Sequence, residues 1–108
     1  MTRDKSLIFD IHDACELILK FIEGVTFKQF EMDIMRQDAV IRRIEIIGEA
    51  SNNLSDEYKE QNPEIPWFLI RGMRNRLVHD YGEVDIELVW TTCQNDIRKL
   101  KEQLEEYI

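Results

Sequence analysis

Apolar residues recur every three or four positions along most of this chain. Between about Lys5 and Glu23, Ile8, Ile11, Cys15, Ile18 and Ile22 keep that step, and Leu7, Ala14 and Phe21 widen the stripe. The spacing predicts an amphipathic helix with Gly24 as its stop. His12 lies beside the stripe among Asp10, Asp13 and Glu16, where a surface or helix-packing role is expected. Thr26 with Gln29 three positions later reads as a capping box. It opens a second helix over about Phe27 to Arg36, with Phe27, Phe30, Ile34 and Met35 as its apolar face. A third helix, from about Gln37 to Leu54, turns Val40, Ile41, Ile44, Ile47, Ala50 and Leu54 inward. Gly48 in its middle costs roughly 1 kcal/mol relative to alanine, so close approach of another helix is the expected compensation. Arg42, Arg43, Glu45 and Glu49 lie along the polar side and pair at helical spacing, or Glu49 holds an arginine from further along the chain.

After Ser55, which caps a short turn through Tyr58 and Lys59, Pro63 and Pro66 bracket a break. Pro66 suits the first position of a fourth long helix running from Trp67 towards His79, with Trp67, Ile70, Met73, Leu77 and Val78 buried. Tyr81-Gly82 marks its stop. Asp85 caps a last helix reaching almost to Ile108, with Ile86, Val89, Trp90, Cys93, Ile97, Leu100, Leu104 and Ile108 as core stripe. The pattern predicts an all-α fold, an up-and-down bundle of about five helices forming one domain over residues 1–108.

Composition narrows the function. At 108 residues, 44% of them hydrophobic and 33% charged, the chain supports a single core, and four Gly with two Pro argue against a turn-rich β fold. Cys15 and Cys93 stand far apart in apolar-periodic segments without any Cys-x-x-Cys, as reduced core residues of a cytoplasmic protein do. The apolar runs are short, as where Leu17-Ile18-Leu19 is broken by Glu16 and Lys20, so no membrane association is expected. A di-metal site inside a bundle needs Glu-x-x-His pairs, none of which occurs, and two histidines are too few. A Gly-rich phosphate loop and a Gly-x-Ser-x-Gly elbow are also missing, which sets aside P-loop hydrolysis and serine-hydrolase chemistry.

One stretch departs from the rest. The chain carries 22 acidic against 14 basic side chains, a net charge of -8, yet Arg71 to Tyr81 gathers three arginines with Asn75, His79 and Tyr81. Arginines near a helix end often only coat a surface. They also suit an anionic ligand, because a guanidinium fork matches a phosphate and a histidine titrates near neutral pH. RNA supplies its own nucleophile, the 2′-hydroxyl, so an acid–base histidine and a charge-stabilising guanidinium suffice for its cleavage without metal or cofactor. On a continuous helix Asn75 and His79 share a face that Arg71 extends, while Arg74 lies about 140° away from His79. Arg74 and His79 then converge only if Arg74 reaches across or the helix loosens near His79. One such histidine per chain is thin for a reaction wanting an acid and a base, and a symmetric homodimer would supply the second. From Glu83 onward seven acidic residues stand against three basic, so the last helix is no footprint for nucleic acid.

Arg74-Asn75-Arg76-Leu77-Val78-His79 resembles the HEPN pattern of an arginine, a polar residue, three further residues and a histidine. His79-Asp80-Tyr81 resembles the His-x-Tyr extension of the HepT-like toxin subfamily. Ile46-Ile47-Gly48-Glu49-Ala50, Ile65-Pro66-Trp67 and Val84-Asp85 with Val89-Trp90 follow that subfamily's landmarks in order. The resemblance implies an all-α bundle dimerising around a composite cleft. The implied activity is metal-independent endoribonuclease, the toxin of a toxin–antitoxin pair. Its implied antitoxin is a minimal nucleotidyltransferase that adenylylates Tyr81. It also implies roles: Arg74 on the scissile phosphate, His79 as general acid–base, Asn75 positioning Arg74 or the phosphate. Arg71, Arg76 and Glu49 are supporting candidates. The alternative is a HEPN-like module without catalysis that partners a nucleotidyltransferase.

Overall fold

The computed structural model describes residues 3–108. Its frame is a pair of long helices, α1 (Arg3–Ile22) and α3 (Ile34–Asn53), packed lengthwise. The stripe expected of α1 is buried at Ile8, Ile11, Ala14, Cys15, Ile18 and Ile22, with Leu7 and Phe21 half-buried at its edges, and it meets Val40, Ile44, Ile47 and Ala50 of α3 in one core. Each such aliphatic side chain taken from water contributes about 1.5–3 kcal/mol. The Cys15 and Cys93 thiols are free and belong to the same core, where burial pushes both up to about 12.

Between the two long helices lies α2 (Phe27–Glu31), opened by Thr26, whose hydroxyl accepts from the Gln29 N–H while the Gln29 side chain accepts from the Thr26 N–H. It ends five residues before the expected Arg36. Asp33 starts α3 instead, by accepting from the Arg36 N–H at 3.0 Å. The Gln37 side-chain amide closes the other side, donating to the carbonyls of Phe30 at 2.8 Å and Glu31 at 3.0 Å. Ile34 and Met35 are therefore 69% and 84% exposed at the junction rather than part of an apolar face. Phe30 keeps its buried place, its ring 5.2 Å from that of Trp90.

A short helix α4 (Asp56–Gln61) comes next, capped by Ser55, which also donates to Asp4 at the start of α1. The helix expected from Trp67 to His79 is broken. Its two pieces are α5 (Trp67–Arg71) and α6 (Met73–Arg76), and the chain leaves helical geometry after Arg76. The final arm begins with α7 (Ile86–Thr92), capped by Asp85 as expected. It continues through a wide π turn over Cys93–Ile97 into α8 (Arg98–Leu104) and a terminal 3₁₀ turn. Val89, Cys93, Ile97, Leu100 and Leu104 stay buried throughout. Ile108, expected to close that stripe, is exposed because the helix has already tightened at Glu105–Tyr107. The fold is an all-α bundle, with one isolated bridge, Val78 to Val84, as the only extended pairing among the described residues. No helix among them is long and apolar enough to cross a membrane.

Candidate active site

Gly48 sets the distance between α3 and the broken helix. A Cβ at Gly48 would stand 3.2 Å from the carbonyl oxygen of Arg71 and 3.9 Å from that of Ile70. The absent side chain is thus what lets α5 end against α3. Beside this contact lies a shallow depression of about 330 Å³, lined by Glu45, Gly48, Glu49 and Asn52 of α3 and by Arg71 and Arg74.

Within the depression, the Arg74 Nε lies 3.9 Å from a carboxylate oxygen of Glu45. Both side chains are about 40% exposed, so the pair adds little to stability; its effect is to place the guanidinium. Glu49 faces Arg42 on its own helix instead, at 3.8 Å, so the acidic partner of the arginine-rich stretch is Glu45, one turn earlier. The Arg71 guanidinium stands over the ring of Phe68, 5.6 Å from its centre. Arg76 turns back on α5 and donates to the Leu69 carbonyl, satisfying one of the acceptors that a helix end leaves open. It lines a different hollow, with Pro66, Leu69, Ile70 and Met73.

His79 sits on a turn rather than on a helix. The Leu77 N–H donates to the Arg74 carbonyl at 3.1 Å, tightening the last turn of α6, and Leu77 is then buried in the core. Three backbone bonds of 2.8 Å close the segment from Leu77 to Asp85: His79 N–H to Glu83 O, Gly82 N–H to His79 O, and Asp85 N–H to Leu77 O. Gly82 has φ +91°, which an L side chain rarely adopts, so this turn requires glycine. The result is a short antiparallel excursion that lifts His79, Asp80 and Tyr81 off the bundle.

At its tip the imidazole of His79 stacks on the ring of Tyr81, centres 5.0 Å apart and planes 13° from parallel. The His79 Nε2 lies 3.7 Å from Oδ2 of Asp85. The other oxygen of that carboxylate accepts from the Leu88 N–H at 3.0 Å, as the cap of α7. Arg71, Arg74 and Glu49 are thus gathered in one depression, and His79 and Tyr81 meet in the turn. Arg74 and His79 share no direct contact. The shared helical face expected for Asn75 and His79 does not exist, because the chain leaves α6 between them; Asn75 is an exposed residue of α6. Glu45 and Asp85 are the partners that residue patterning passed over. The signal for Asp85 was the Tyr81-Gly82 stop, since a tight turn there folds residues 83–85 back beside His79.

Fold and site together define a class: an all-α bundle that presents a guanidinium on one short helix and an exposed imidazole on the turn after it. Residues 11–107 match the family described as ribonuclease HepT-like, and the chain belongs to that family. A protein of Thermococcus cleftensis named "Probable ribonuclease HepT" is 43% identical over 102 residues, covering 94% of this chain and 93% of its own. A protein of Caldanaerobacter subterraneus with a provisional RNase name is 36% identical over 98 residues, 91% of this chain and 88% of its own. Another with such a name, from Methanocaldococcus jannaschii, is 34% identical over 101 residues, 94% of this chain and 93% of its own. No solved structure matches the chain at a significant level.

Proposed function

We propose that this chain is a metal-independent endoribonuclease, the toxin of a toxin–antitoxin pair in the cytoplasm, with Arg74, Asn75 and His79 as its site. The observation that carries the reading is the imidazole of His79, 43% exposed and held on a closed turn beside Asp85 and Tyr81, in a chain of the ribonuclease HepT-like family. His79 takes the proton of the RNA 2′-hydroxyl as that oxygen attacks phosphorus. A 2′,3′-cyclic phosphate forms, the bond to the 5′-oxygen breaks, and the leaving oxygen receives a proton from an acid. The guanidinium of Arg74 stabilises the charge on the phosphoryl oxygens, with Asn75 positioning Arg74 or the phosphate. A homodimer supplies the acid as a second His79 across a composite cleft. Arg71 adds charge beside Arg74.

The partner is a minimal nucleotidyltransferase antitoxin that adenylylates Tyr81. The Tyr81 side chain is 74% exposed and stacked on His79. An adenylyl group on its oxygen sets a charged phosphodiester against the imidazole and excludes RNA by charge and by occupancy. The net charge of -8 favours a second reading, a module that binds the nucleotidyltransferase without cutting RNA.

RNA cleavage by purified protein in excess EDTA separates them. Wild type is expected to leave 2′,3′-cyclic ends, and Arg74→Ala and His79→Ala each to lose about 10²–10⁴-fold in rate. No cleavage by a folded, unmodified wild-type dimer would favour the module.

A further inference from the structure

We infer that Asp85 is the positioning residue of His79: its carboxylate decides which imidazole nitrogen carries the proton and which one meets substrate. The inference rests on the reading of His79 as the acid–base group. Asp85 is held from two sides. Its N–H donates to the Leu77 carbonyl at 2.8 Å, and its Oδ1 accepts from the Leu88 N–H at 3.0 Å. Oδ2 is thereby aimed at the turn, 3.7 Å from the His79 Nε2.

The ring is confined as well. Its backbone N–H is bonded to Glu83, and one face is covered by Tyr81. Its remaining freedom is largely rotation about the bond to the ring, and an anion beside Nε2 selects one setting. A neutral imidazole carries a single N–H. A carboxylate at Nε2 draws that proton there, leaving the Nδ1 lone pair to accept the 2′-hydroxyl proton. Once His79 has taken it, the imidazolium already faces its counter-charge. The separation of 3.7 Å is longer than a hydrogen bond and shortens to one when substrate orders the ring. One carboxylate therefore serves two ends, starting α7 with one oxygen and setting the His79 tautomer with the other.

The two functions separate by substitution. Serine caps a helix about as well as aspartate but is too short to reach the imidazole, so Asp85→Ser keeps α7 and removes only the second contact. Asp85→Asn keeps the cap and removes the charge. The chain has two histidines, and His79→Gln identifies the signals of the other. Long-range proton–nitrogen correlation spectra of full-length dimer, recorded where His79 is neutral, report which nitrogen is protonated. Wild type is expected to hold the proton on Nε2, Asp85→Ser to show the mixed tautomers of a free imidazole, and Asp85→Asn, whose Oδ1 keeps the cap while its Nδ2 faces the ring as a donor, to move the proton to Nδ1. An identical tautomer balance in wild type and Asp85→Ser overturns the inference, whether or not either protein cuts RNA. In cleavage, Asp85→Ser is expected to lose about tenfold in kcat with KM within about twofold. A loss confined to KM contradicts the positioning role. A tautomer that follows Asp85 in a chain that cuts no RNA would support the coupling and sink the ribonuclease reading alone.

Discussion

Over twenty residues α1 buries six side chains on one uninterrupted stripe. The segment from Trp67 to Asp85, of nearly the same length, buries Trp67, Ile70, Met73 and Leu77 and interrupts its helix twice, at Gly72 and after Arg76. The two regions differ little in their apolar spacing up to Met73. They part where polar groups must be shown to solvent. A continuous helix would have held His79 about 140° from Arg74; the tightened end of α6 and the turn closed by Gly82 remove that constraint. Stability is concentrated in the frame, and the segment gives up regular hydrogen bonding so that an imidazole and a guanidinium can stand out from it.

The frame is the easier region to damage. Ile44 is fully buried where α3 meets α1, and Ile44→Ala is expected to lower unfolding free energy by about 2–5 kcal/mol in urea denaturation. A loss under about 1 kcal/mol would mean that the core is looser there than the burial states. In the turn, Gly82→Ala forces an alanine to φ +91° and is expected to cost roughly 1–2 kcal/mol. Its effect on cleavage should exceed its effect on the melting temperature, because the strain falls on the backbone that holds His79. Equal stability of the two proteins would contradict the turn geometry.

The smallest expected effect lies at the other end of the frame. Hydrogen bonds from the Ser55 hydroxyl and N–H hold the Asp4 carboxyl below its usual value of 3.8. A carboxylate lowered on folding stabilises above its unfolded value, and that stability is lost as pH falls through the lower folded one. The melting temperature of wild type should therefore exceed that of Asp4→Asn at pH 7, with the gap closing below about pH 4. A gap independent of pH would exclude the charge as its cause.

Much of the frame was legible because helical burial repeats. The stripe of α1, the capping box at Thr26, the cap at Asp85 and the compensation at Gly48 are written in local residue types. The end of α2 was not. Ile34 and Met35 continue an apolar period, and only a side chain from the next helix, Gln37, together with the cap at Asp33, stops it. The break after Arg76 was hidden for a similar reason. Leu77 and Val78 fit a helix as well as they fit a descent into the core followed by a bridge. At the site, the arginine and histidine spacing was visible, while the pairing of Arg74 with Glu45 depends on how α3 and α6 pack. Of the two readings of Glu49, pairing on its own helix is the one seen, with Arg42, while Glu45 one turn earlier meets Arg74 and Glu49 only lines the same depression.

We propose this division: the turn carries chemistry and the frame carries stability. Its most direct test is one preparation of His79→Ala, measured against wild type both for unfolding free energy and for RNA cleavage in EDTA. The expected result is stability within about 0.5 kcal/mol of wild type, as for a surface substitution, with cleavage reduced at least about a hundredfold. Cleavage at the wild-type rate by the folded variant would contradict it.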